Sequence, residues 1–177
     1  GMCGGNIKIE NCCPEHLASL IYKLNKTACN LRYFNDTITI SSSGRLRAID
    51  HIETQPYPGF PTDLQAQAMA FATISDGVSV IVENVFETRY RHVREFIKMG
   101  ANITVKDRTA IIRGCPSLMG ARVEAGDLRG GAALVLAGLA ADGYTTVEEI
   151  RHIDRGYESI ENLFSALGGD IKRINER

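Results

Sequence analysis

Apolar residues recur at i, i+3, i+4 and i+7 in three segments: Leu17, Leu20, Ile21 and Leu24; Val93, Phe96 and Ile97, running on to Gly100; and Ile160, Leu163, Phe164 and Leu167. That is the period of a helix with one buried face, so it predicts three amphipathic helices. Pro14 marks the start of the first, and Gly100 and Gly168-Gly169 end the other two. Ahead of each lies a strand-like run with an acidic exit: Ile7-Lys8-Ile9-Glu10, Val80-Ile81-Val82-Glu83 and Thr145-Thr146-Val147-Glu148-Glu149. Behind the first two helices, residues 31–34 with 37–40, and 103–105 with 109–112, read as paired strands whose turns, Asn35-Asp36 and Lys106-Asp107-Arg108, suit hairpins.

A second helix type occurs twice, in residues 63–77 and 127–143, each opening on Asp-Leu and closing on Asp-Gly. The unit is therefore strand, helix, hairpin, helix, recurring at roughly seventy residues. Three copies of the second helix are expected and two are present, so the chain is read as entering its first copy at the strand, with the preceding helix missing. This gives one domain over residues 2–177: an incomplete first repeat over about 2–56, a second over about 57–122 and a third over about 123–177. The period exceeds that of ordinary solenoids, and three copies can close around a pseudo-threefold axis. An open α+β sheet is the alternative. Closure is favoured because Ala132, Ala133, Leu134, Val135, Leu136, Ala137 and Leu139 make the second helix type apolar nearly all round, as in the interior of a bundle. The expected class is thus α/β (α+β).

Composition narrows the partners. With 177 residues, 44% of them hydrophobic and 23% charged, the chain can bury one good core. A net charge of −1 leaves no general basic field, which argues against nucleic acid as a partner. Arginine outnumbers lysine 14 to 6, a bias that suits bidentate recognition of phosphate or carboxylate. Five cysteines, with no C-x-x-C, give neither a disulfide framework nor a zinc site, and point to a reducing cytoplasm. No secretory pattern opens the chain, and its longest apolar stretch, residues 130–141, is too short to span a bilayer. Gly1 ahead of Met2 reads as the remnant of an expression tag.

Three places could carry chemistry. Tyr57-Pro58-Gly59-Phe60-Pro61 is a stiff approach that sets Thr62 and Asp63 at a helix N-terminus, where they either cap the helix or act on a ligand. Asp127-Leu128-Arg129 puts a cation in a first helical turn, against the macrodipole. Either Arg129 pairs with Asp127 or Glu124, or a bound anion is held by Arg129 and free helix N–H groups together. Arg155 and Arg89 hold equivalent places in two repeats, with His16 in the first, so related anion sites are conceivable beside ordinary ion pairs. His51, His92 and His152 show no ligand spacing and read as structural; no metal or cofactor is expected.

Together these segments carry a resemblance. Tyr57-Pro58-Gly59-Phe60-Pro61-Thr62-Asp63-Leu64-Gln65-Ala66-Gln67, Val85-Phe86-Glu87-Thr88-Arg89-Tyr90, Asp127-Leu128-Arg129 with residues 132–138, and His152-Ile153-Asp154-Arg155-Gly156-Tyr157-Glu158 look like successive motifs of the UDP-N-acetylglucosamine 1-carboxyvinyltransferases, enolpyruvyltransferases of cell-wall synthesis. The resemblance covers essentially the whole chain. It implies the later of two lobes, each an inside-out α/β barrel of three repeats, without the short N-terminal strand–helix that completes it. It implies that Asp63 is the acid–base group and meets the sugar-nucleotide hydroxyl, that Thr62, Val85 and Phe86 seat the UDP-sugar, that Arg129 and Arg155 contact phosphoenolpyruvate, and that Arg89 lies beside them. Thr88, Tyr90, Gly126 and Gly130 depart from the usual Asn, Phe, Thr and Ala, leaving the charged set intact. Cys115 lies in a different segment from the family's reactive loop cysteine. The missing lobe would be an obligatory partner, so the chain alone is expected to be inactive. A shikimate-type enolpyruvyltransferase lobe and a non-catalytic module that binds a UDP-sugar or a protein are the rivals.

Overall fold

The structure, a computed structural model, describes residues 2–87 and 89–174. The first unit runs β1 (Gly5–Ile9), a 3-10 turn (Pro14–Leu17), α1 (Ala18–Leu24), β2 (Asn30–Phe34) and β3 (Thr37–Ser42). Next come β4 (His51–Glu53), a 3-10 turn (Thr62–Leu64), α2 (Gln65–Ile74), β5 (Val78–Val82), α3 (Val93–Lys98), β6 (Asn102–Lys106) and β7 (Thr109–Arg113). The last stretch holds β8 (Arg122–Glu124), α4 (Leu128–Leu139), β9 (Thr146–Glu148), α5 (Arg151–Asp154) and α6 (Ile160–Ala166).

The three sheets repeat one plan. Order β1-β3-β2, antiparallel throughout, matches β5-β7-β6, and the two hairpins turn through Asn35 and Asp107, both with positive φ. The second sheet adds β4 parallel to β5, and the third pairs β8 parallel to β9 in the same way. The three-residue strands β4 and β8 are too short for a period to show, and the sequence reading omits both. After α6 no hairpin follows among the described residues, where residues 122–174 hold only the strands β8 and β9 and the helices α4, α5 and α6.

Helices α2 and α4 pack against one another and are buried on nearly every side, as their apolar composition requires. Each then closes onto the segment leading from the preceding hairpin. The Ala48 N–H donates to the Asp76 carbonyl (2.8 Å) and the Asp76 N–H to that of Leu46 (2.7 Å). The same ladder returns between Gly120 and Asp142 and between Asp142 and Leu118, each at 2.7 Å. The main core seals Met69, Ile81, Phe96, Ile112 and Leu134 from solvent, and smaller clusters form around Ile153 and Ile160 and around Ile21, Leu31 and Ile38.

Candidate functional site

The loop after β4 builds the site. Phe60 is buried, its carbonyl accepts from the Gln55 N–H (3.0 Å), and the Gly59 N–H donates to the Pro56 carbonyl (2.8 Å). A side chain at Gly59 would strike Gln55 Cβ at 2.5 Å, so the tight fold needs glycine there. The loop delivers Thr62 and Asp63 in a single 3-10 turn, and neither side chain caps a helix. The capping alternative therefore falls for Asp63. Asp127 does act as a cap, its carboxylate accepting from the Gly130 N–H at 2.7 Å.

The Asp63 carboxylate lies between two guanidiniums: Arg89 Nη2 donates to Oδ1 at 2.9 Å and Arg129 Nη2 to Oδ2 at 2.8 Å. Arg129 thus pairs with neither Asp127 nor Glu124. The conflict with the α4 dipole is answered by Asp63 and by the Tyr157 hydroxyl, which accepts from Arg129 Nη1 at 3.1 Å. Asp127 takes one terminal N–H of α4, that of Gly130, so an anion there would meet the guanidiniums together with the remaining first-turn N–H groups. Arg129 foremost, then Arg89, holds the Asp63 carboxyl below its ordinary range, against partial burial that pushes it up. Arg129 is held above its own range chiefly by Asp63, then by Tyr157.

Around this trio, Arg89 Nη1 also donates to Thr62 Oγ1 at 2.7 Å, and its guanidinium stands 4.6 Å from the centre of the Phe86 ring. Val85 and Phe86 form an exposed apolar rim. The structure thus brings Thr62, Asp63, Arg89, Arg129 and Phe86 together, with Val85 adjoining. Arg155 follows α5, is exposed, and lies outside the hydrogen-bonded cluster. His16 is also exposed, so of the three equivalent residues only Arg89 joins the cluster. Thr88 lies outside the described residues. The sequence reading missed Tyr157, Gln67, whose amide donates to the Tyr157 hydroxyl at 3.3 Å, and Glu83 beneath Thr62. Of the histidines only His92 serves packing, buried edge-to-face with Phe96, and burial pushes its imidazole down to about 4, whereas His51 is exposed beside Glu53. Among the described residues no group of His, Cys, Asp and Glu could hold a metal, and no helix is long and apolar enough to cross a membrane. A hollow of about 1620 Å³ lies apart from the Asp63 trio, between β1 and the helices α4 and α6.

A paired carboxylate and two fixed cations beside an exposed apolar rim can hold an anion and move a proton next to it. The fold around that site is shared with solved enzymes. The enolpyruvyl transferase NikO from Streptomyces tendae superposes with a TM-score of 0.79 at 28% identity over 88% of this chain and 36% of that one. An EPSP synthase from Acinetobacter baumannii gives 0.68 at 18% identity over 97% and 41%. This is the enolpyruvyltransferase type of inside-out α/β barrel lobe. A family model described as EPSP synthase (3-phosphoshikimate 1-carboxyvinyltransferase) matches residues 1–164, and the chain belongs to that family. Within it, the chain is 49% identical over 173 residues to the UDP-N-acetylglucosamine 1-carboxyvinyltransferase of Koribacter versatilis and 48% identical over 172 residues to one from Staphylococcus aureus. These alignments take in 98% and 97% of the chain but 40% and 41% of the relatives, so the chain spans about two-fifths of their length.

Proposed function

We propose that this chain is the later lobe of a UDP-N-acetylglucosamine 1-carboxyvinyltransferase, which moves the enolpyruvyl group of phosphoenolpyruvate to the sugar 3′-hydroxyl in peptidoglycan synthesis. The observation that carries the reading is the Asp63 carboxylate clamped by Arg89 and Arg129, in a chain close to half identical to enzymes of that name. In this proposal Asp63 takes the proton of the 3′-hydroxyl as its oxygen bonds to C2, while an acid of the second lobe protonates C3. A C3 proton then passes to a base of the closed site as phosphate leaves with the C2–O bonding pair and the C2=C3 double bond re-forms. Arg129 meets the donor's negative groups, with Arg155 reaching in from the end of α5, and Thr62, Val85 and Phe86 seat the sugar nucleotide.

The clamp suggests an order of events. While both guanidiniums hold Asp63 its carboxylate is a weak base; an incoming anion that draws Arg129 away raises its proton affinity as the acceptor arrives. The second lobe, carried by the remaining three-fifths of the relatives' length, would exclude water. A strand–helix segment would fill the apolar hollow beside β1, whose outer edge has no described partner where β5 has β4. Five unpaired thiols fit a cytoplasmic setting. The shikimate-type reading gains less support, because the Acinetobacter baumannii EPSP synthase is only 18% identical.

The test uses a complete two-lobe protein containing this sequence. Phosphate release from phosphoenolpyruvate is expected with UDP-N-acetylglucosamine as acceptor. Release with 3-phosphoshikimate instead would move the assignment to the other activity, and release with neither would sink both.

A further inference from the structure

The acidic exits of β1, β5 and β9 have different fates. Glu10 pairs with Lys8 on the surface, and Glu148 pairs with Arg122. Glu83 is 0% exposed, and its hydrogen-bond partners among the described residues are all uncharged. A buried carboxylate without a direct counter-ion is costly unless donors fill its lone pairs, and four do. Oε1 accepts from the Thr54 hydroxyl (2.8 Å) and from the successive N–H groups of Val85 (2.9 Å) and Phe86 (3.0 Å). Oε2 accepts from the Thr62 hydroxyl (2.8 Å).

Oε1 alone would suffice to hold the Val85–Phe86 turn. The bond from Thr62 to Oε2 does something further. A threonine has one hydroxyl proton; because it goes to Glu83, the oxygen's lone pairs face Arg89, whose Nη1 donates to them at 2.7 Å while its Nη2 reaches Asp63. We propose that Glu83 is a positioning residue that sets Arg89 against Asp63 through the Thr62 hydroxyl and at the same time fixes the Val85–Phe86 rim. The proposal rests on the assignment of Asp63 and Arg89 to the substrate site. Glutamine at 83 would turn its oxygen to the two backbone N–H groups, which cannot reverse, and its amide to Thr62. The hydroxyl must then accept from the amide as well as from Arg89, and its proton, no longer held by a carboxylate, ceases to fix the lone pair that faces Arg89.

An NMR pH titration of the Asp63 carboxyl carbon in the 177-residue chain reads this path without any substrate. Glu83→Gln is expected to raise the midpoint by about half a pH unit or more, as Arg89 loosens. Thr62→Val should do the same, Thr62→Ser should titrate like the parent, and the double variant Glu83→Gln/Thr62→Val should move no further than either single one. An unmoved or lowered midpoint in Glu83→Gln, with only a lower melting temperature, would reduce Glu83 to a fold-holding residue. If Glu83→Gln does not fold, the Thr62 pair decides: Val and Ser behaving alike overturns the proposal, and Val alone rising supports it. A complete protein whose Asp63 titrates as expected yet transfers nothing to a UDP-sugar would sink the functional reading and leave this one standing.

Discussion

At Asp63 one carboxylate is shared by two guanidiniums, and the side chain remains half exposed, so its contribution to stability is small and its contribution to chemistry is open to test. Exposed ion pairs contribute about 0–1 kcal/mol. Asp63→Asn should therefore melt close to the parent, while turnover of the complete enzyme should fall by about a hundredfold or more, the scale of a positioned acid–base group. A variant that melts far lower but keeps its turnover would return Asp63 to a structural role. The depressed carboxyl stabilises the fold above the unfolded value of about 4 and loses that contribution as pH falls through the lower folded value. Asp63→Asn should accordingly flatten the acid limb of stability against pH.

His92 gives the opposite sign of argument, because burial holds it neutral and neither ring nitrogen has a hydrogen-bond partner. The unfolded chain binds a proton at about 6.5 and the folded one only near 4, so stability falls as pH drops across that window. His92→Leu, similar in volume, should stabilise the chain by roughly 1–3 kcal/mol, the scale of an unpaired buried polar group, and by more at pH 5 than at pH 8. Urea unfolding at the two pH values checks it; equal gains would mean the ring is not desolvated.

Among the elements, the amphipathic helices were legible because their period survives any tertiary context, and the hairpins because Asn35-Asp36 and Asp107 advertise their turns. The clamp on Asp63 was not legible from spacing: its partners lie 26 and 66 residues along the chain, and only the packing of α2 against α4 brings Arg129 across. The family resemblance named those arginines without saying that they hold the carboxylate. Glu83 carried a sequence signal, the acidic exit, but nothing in the pattern separates it from Glu10 and Glu148. A further element-level constraint is the crossing after β7. A Cβ at Gly114 would lie 1.7 Å from the Ser75 carbonyl oxygen, a backbone atom at the end of α2. Gly114→Ala should cost about 3 kcal/mol or more, at the upper end for overpacking. Thermal melting reads this directly, and a variant as stable as the parent would show that the β7 exit can slide away from α2.

For the molecule as a whole, the shared fold and the two-fifths coverage set the expectation that the 177-residue chain alone releases no phosphate from phosphoenolpyruvate with UDP-N-acetylglucosamine. Co-expression with the remainder of such an enzyme should restore release and raise the melting temperature, since filling the hollow beside β1 buries apolar surface. Turnover by the purified chain would require a proton donor and a water shield that the described residues do not supply. The ladders that join α2 and α4 to their neighbours consist of main-chain amides and carbonyls. Such a seam uses no side-chain hydrogen bond, so the copies can diverge in sequence while still buttoned together, except where, as at Gly120, a Cβ would strike the facing backbone. The amide hydrogens of Ala48, Asp76, Gly120 and Asp142 are the buttons. Their deuterium exchange would tell whether the copies come away singly, like beads, or only when the whole lobe comes undone.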